Sequence, residues 1–110
     1  MAMRPLAPCC ALLAAGLATA SPTSAAADEA LAERGRIIAD TYCSECHATG
    51  AAGESPMPEA PPLRTFQERW PVDHLAEALA EGIMVGHEDM PEFRMTTSEI
   101  DAFLAYLESF

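Results

Sequence analysis

The chain has 110 residues, with six arginines, no lysine and 17 acidic residues, giving a formal net charge of −11. That balance excludes a nucleic-acid-binding protein, which needs a basic footprint against phosphate. It suits either a plainly solvated acidic surface or a transient partner with a basic docking surface, reached by electrostatic steering.

Residues 1–27 read as a secretory signal peptide. Arg4 supplies the positive start, Leu6 to Ala20 an apolar run, and Ser24-Ala25-Ala26-Ala27 a small-residue cleavage region ahead of Asp28-Glu29. The run is shorter than the roughly 20 apolar residues of a spanning helix, so a membrane anchor is disfavoured. Cleavage after Ala27, with Ala26 as the neighbouring alternative, leaves one domain at residues 28–110 without a membrane span. It removes Cys9 and Cys10 and leaves five arginines against 17 acids, a net charge of −12. A domain this small buries a limited core and commonly needs a staple, which a large apolar cofactor supplies better than one tiny disulfide loop.

Three helices are predicted in the exported part. The first runs from Glu29 to Tyr42, with Leu31, Ile37 and Ile38 on a mixed face and Gly35 in the middle. A glycine there costs about 1 kcal/mol against alanine, so its presence points to close approach of another element. The second spans Pro71 to Glu81, with proline in the first turn, Asp73 near the helix N-terminus and Gly82 as the stop. The third spans Thr97 to Glu108. Thr96 and Glu99 have capping-box spacing, and Ile100, Phe103, Leu104 and Leu107 form an apolar stripe. Residues 48–66 and 82–96 are rich in glycine and proline and read as loops. No period-two strand pattern appears, so the expected fold class is all-α.

Cys43-Ser44-Glu45-Cys46-His47 carries the chemistry. Tetrahedral zinc wants a second ligand pair, and only the isolated His74 and His87 follow. A redox dithiol of the thioredoxin type comes with a βαβ pattern that is missing here. Covalent haem fits every position: two thiols a helical turn apart form thioethers, and the adjacent histidine reaches the iron. The export signal agrees with that reading.

Together these residues resemble a small bacterial class I cytochrome c, a monohaem family. The resemblance covers nearly all of 29–110. It rests on Gly35, the Cys43–His47 pentapeptide, Ala60-Pro61-Pro62-Leu63, Met90-Pro91-Glu92-Phe93 and Ala105-Tyr106-Leu107. It implies three main helices and long loops wrapped around one haem c, with Gly35 packed against Tyr106. Ala39 departs from the pattern, since many relatives carry an aromatic there.

Haem iron with histidine and methionine ligands is typical of such proteins. The candidates for the second ligand are Met57, Met84, Met90, Met95, His74 and His87. Met90 stands out, because it follows the glycine-rich loop, precedes Pro91 and matches the family's Met-Pro pattern. Met84 and Met95 read as pocket wall, and His74 as solvated. The resemblance implies that the Pro61 carbonyl accepts the other ring N–H of His47. Trp70, Arg64 and Arg69 are candidate donors to the haem propionates. The expected function is periplasmic one-electron transfer by a monomer in transient complexes, not enzymatic turnover. The alternatives are a dedicated haem subunit of an exported dehydrogenase or oxidase, and a haem sensor with a labile methionine. A peroxidase would need an open iron site, with His87 its only support.

Overall fold

The computed structural model describes residues 15–82 and 89–110. Residues 1–14 of the expected signal, and the ligand candidates Met84 and His87, lie outside that description. All regular elements among the described residues are helical: α1 (Ser24–Tyr42), a 3-10 turn (Leu63–Thr65), α2 (Phe66–Arg69), α3 (Val72–Glu81) and α4 (Thr97–Leu107). No strand occurs among the described residues.

Helix α1 starts five residues before the expected Glu29. Alanine has the highest helix propensity, and nothing in Ser24-Ala25-Ala26-Ala27 stops propagation toward the N-terminus. This extension is exposed, and Thr23 at its cap makes no side-chain bond. Helix α3 begins at Val72, with Pro71 in an extended conformation just before it. The Pro71 carbonyl accepts from the amides of His74 and Leu75, so proline still opens the helix. The short helix α2 interrupts a stretch with no helical periodicity. Pro62 leads into it, and Trp70 ends it in an extended conformation.

Helix α4 carries the expected capping box. The Thr96 hydroxyl accepts from the Glu99 amide at 3.4 Å, and the Glu99 carboxylate accepts from the Thr96 amide at 2.8 Å. Ile100, Phe103 and Leu107 are all buried, as the apolar stripe requires.

The principal helix packing is α1 against α4, and Gly35 makes it possible. A Cβ at position 35 would stand 2.6 Å from the carbonyl carbon of Ala102 and 2.8 Å from Tyr106 Cβ. It would come closer still to the Ala102 oxygen. The glycine therefore sits where the backbone of one helix touches the other. Ala39, one turn on, is fully buried, so the small side chain fills its place and the crossing stays closed. Leu63, Phe66, Leu75 and Leu79 complete the core beside this pair.

Candidate haem site

The end of α1 winds both cysteines and the histidine onto one turn. The Cys43 amide donates to Ala39 O at 2.8 Å, and the Cys43 carbonyl then accepts from the amides of Cys46 and His47. Both thiols are free and half-buried. The turn is held from several sides. Asp40 accepts from Arg36 and from the Thr49 hydroxyl, each at 2.6 Å, and the Tyr106 hydroxyl donates to the Thr49 carbonyl. Helix α4 is thereby tied to the segment two residues beyond His47. On the other side, Ala48 donates to the Ser55 hydroxyl and its carbonyl accepts from the Leu63 amide.

His47 is 9% exposed, and its Nδ1 lies 2.6 Å from the Pro61 carbonyl oxygen. A carbonyl can only accept, so Nδ1 carries the proton and Nε2 keeps its lone pair for another partner. The Phe66 ring meets the imidazole edge-on, with centroids 5.6 Å apart and planes at 80°. Trp70 also meets Phe66 edge-on, with centroids 5.2 Å apart. The imidazole is thus fixed in tautomer by Pro61 and in orientation by a ring.

Beside it opens a cavity of about 510 Å³, a size usual for cofactor sites. Cys43, Cys46 and His47 share its wall with Leu63, Phe66, Leu75, Leu79 and Phe103. Met57, Met90 and Met95 also line it, as do Arg69, Trp70 and the exposed His74. His74, a ligand candidate read as solvated, is exposed and also lines the cavity. Arg64 does not line the cavity. Its Nη2 donates to the Gly53 carbonyl at 2.8 Å, while Nη1 is buried with no partner.

These residues fit a covalently attached haem better than the alternatives. Burial, followed by the nearby Asp40 carboxylate and Cys46, pushes the Cys43 thiol up to about 11. A reactive redox dithiol needs the opposite, a lowered thiol that is thiolate at neutral pH. Among the described residues, no group of three or more His, Cys, Asp or Glu side chains is placed to hold a metal ion. The site offers a paired thiol, an oriented imidazole with a free nitrogen, and a large apolar cavity with methionine sulfurs.

Residues 30–107 match the family model described as cytochrome c oxidase, cbb3-type, subunit III. The chain belongs to this family of c-type cytochromes. No curated protein and no solved structure matches it. Membership brings one covalent haem c, and Cys43, Cys46 and His47 stand in the spacing that attaches it. It also makes haem-based electron transfer the activity, and points to a carrier rather than an enzyme.

Reading the sequence of this cytochrome missed several residues that shape the site. Phe66 lay in a stretch without periodicity, and nothing local signals that its ring reaches His47. Tyr42 was named only as the end of the first helix and Phe93 only within Met90-Pro91-Glu92-Phe93, and no local signal pairs them, although they meet at the cavity with ring centroids 6.0 Å apart. The Asp40–Thr49–Tyr106 connection joins residues up to 66 positions apart, a span that sequence periodicity does not cover.

Proposed function

We propose that this c-type cytochrome is a periplasmic one-electron carrier in which His47 and Met90 are the axial ligands of the iron. The observation that carries the reading is the Nδ1 contact of His47 with Pro61, which leaves Nε2 as the ligating atom beside two free thiols. Such a hydrogen bond to a ligating histidine fixes the ring and raises its basicity. Cys43 and Cys46 would hold the two vinyl-derived carbons of the porphyrin. Met57 and Met90 are both half-buried at the cavity and each is followed by a proline, Pro58 and Pro91, which stiffens the backbone just past the sulfur, so it is their surroundings that decide between them. Met95 instead packs against the core cluster, and Met57 sits close to the attachment turn, where its amide donates to the Cys46 carbonyl.

Bound in this cavity, the haem supplies a one-electron ferric–ferrous couple. The chain's own residues keep the change small. Leu63, Phe66, Leu75 and Phe103 exclude water, and two protein ligands leave no open position for substrate. Arg69 and Trp70, which line the cavity, are the proposed donors to the propionates, and Arg64, which does not line it, holds the Gly53 carbonyl through Nη2.

Docking follows the charge. Glu45, Glu59 and Asp89 are exposed at the cavity, with Arg69 as the counter-charge there, in a chain of net charge −11. A partner with a basic patch fits such a mouth, in the loose encounter usual for redox proteins. Export rests on the signal-like residues 1–27, and no helix among the described residues is long and apolar enough to cross a membrane.

The test is an optical spectrum of exported protein in both redox states. A thioether-type pyridine haemochrome and a weak far-red iron–sulfur band in the oxidised protein are expected. Met90→Ala should abolish that band, whereas Met95→Ala or Met57→Ala should keep it. The reverse pattern would refute the ligand assignment. The matched family's description as an oxidase subunit favours a second reading, a dedicated haem subunit of a larger exported complex. Stable co-purification with a large partner from native membranes or extract would favour that role over free diffusion.

A further inference from the structure

Met90 belongs to a segment, residues 89–96, and three of its contacts with the rest of the chain bear on where Met90 sits. The Met95 amide donates to the Leu79 carbonyl at 2.9 Å. Glu92 lies over Gly82, whose φ of +89° and bare Cα accommodate it: a Cβ there would meet Glu92 Cγ at 2.9 Å. Both of these contacts lead back to α3 and its end. The third is different. Phe93 packs on Tyr42, with ring centroids 6.0 Å apart and planes tilted by 57°. Tyr42 is the last residue of α1 and directly precedes Cys43. Both rings line the cavity.

This pair is not part of the buried core. Tyr42 is 51% exposed, and neither ring belongs to the core cluster. Its placement therefore has little to do with holding α1 on α4, which Gly35 and the buried stripe already do. What the pair joins is the haem-attachment turn and the Met90 segment, across 51 positions of sequence. An aromatic contact at partly exposed positions is also one that opens at modest cost, since neither ring must leave a packed interior.

We propose that Tyr42 and Phe93 form a clasp that ties the Met90 segment to the attachment turn and so sets how readily Met90 leaves the iron. They are positioning residues, acting through the backbone on either side of the site. The inference rests on Met90 being the axial ligand. In this arrangement an outside ligand binds only after the clasp has opened, so its apparent binding follows the population of the opened form.

The experiment uses the oxidised haem-loaded protein and imidazole as the competing ligand, with loss of the far-red iron–sulfur band as the readout. Phe93→Leu keeps an apolar side chain and removes the ring. The variant should bind imidazole about 2- to 10-fold more tightly than the wild type, the range that the loss of one aromatic pair produces. Tyr42→Leu should do the same, and the double variant should be no weaker a barrier than either single one, because both remove one shared contact. Tyr42→Phe and Phe93→Tyr keep two rings and should behave as wild type. Imidazole affinities unchanged in both leucine variants, or effects that multiply in the double variant, would overturn the clasp. A far-red band that survives Met90→Ala would overturn the ligand reading beneath it. A band lost in Met90→Ala together with an unaltered Phe93→Leu would overturn the clasp alone.

Discussion

Replacing Gly35 with alanine adds one methyl group at the crossing of α1 and α4, and two effects oppose each other. Alanine favours the helix by about 1 kcal/mol over glycine. Against that, the new Cβ would stand 2.6 Å from the Ala102 carbonyl carbon and 2.8 Å from Tyr106 Cβ. These neighbours are backbone and a side-chain root, so no rotamer change relieves the clash, and the helices must separate. Overpacking of a tight interior costs about 1–3 kcal/mol, and a clash with backbone lies at the upper end. The net loss is therefore about 2 kcal/mol, or roughly 8–16 °C in Tm for a domain of this size. Thermal unfolding of the haem-loaded protein, followed by far-UV circular dichroism, measures it. Gly50→Ala is the control, since a Cβ there meets nothing within 4 Å, and its Tm should stay within a few degrees. A Gly35→Ala protein as stable as the wild type would refute the close-contact account. A damaged crossing should also loosen Tyr106 from Thr49 and so broaden the environment of His47.

Other outcomes follow from the same structure. Leu107 is 1% exposed, and Leu107→Ala should cost about 3 kcal/mol, read from denaturant unfolding. Thr96→Ala removes the α4 cap and should cost about 1 kcal/mol in the same assay. The Glu99 carboxyl is held below its ordinary value, first by the Thr96 amide and then by the Thr96 hydroxyl. Its contribution is thus present above the unfolded carboxyl value of about 4.3 and fades as pH falls through the lower folded value. The stability gap between wild type and Glu99→Gln should be full at neutral pH and close in acid. Cys46→Ala leaves Cys43 as the one attachment point, so the pyridine haemochrome should shift toward that of a haem with one unreduced vinyl group. An unshifted spectrum would count against a thioether at Cys46.

Much of the fold was legible because its signals are local. The capping box depends on residues three apart, and the stripe of Ile100, Phe103 and Leu107 on the helical period, so both could be read without a partner in view. The start of α1 was misplaced because Ser24 to Ala27 carry no stop signal, and alanine extends a helix without help from packing. Ile37 and Ile38 illustrate a different limit. They are adjacent and chemically equal, yet Ile37 is 53% exposed and Ile38 buried. Only the direction in which α4 approaches distinguishes them.

The sequence by itself determined the chemistry: two thiols and an imidazole on one helical turn, a glycine where helices must touch, and an acidic chain without lysine. Those properties are covalent or short-range, so they survive without knowledge of the path of the loops. Tertiary structure decided what surrounds them. It laid the Phe66 edge against the imidazole and joined Tyr42 to Phe93, while the Pro61 carbonyl stands on Nδ1 of His47 as the family resemblance implied. It also separated Arg69 and Trp70, at the cavity, from Arg64, which turns to Gly53. These contacts join residues from 11 to 51 positions apart. Their geometry follows from how the closed crossing of α1 and α4 directs the intervening loops, which no local spacing encodes.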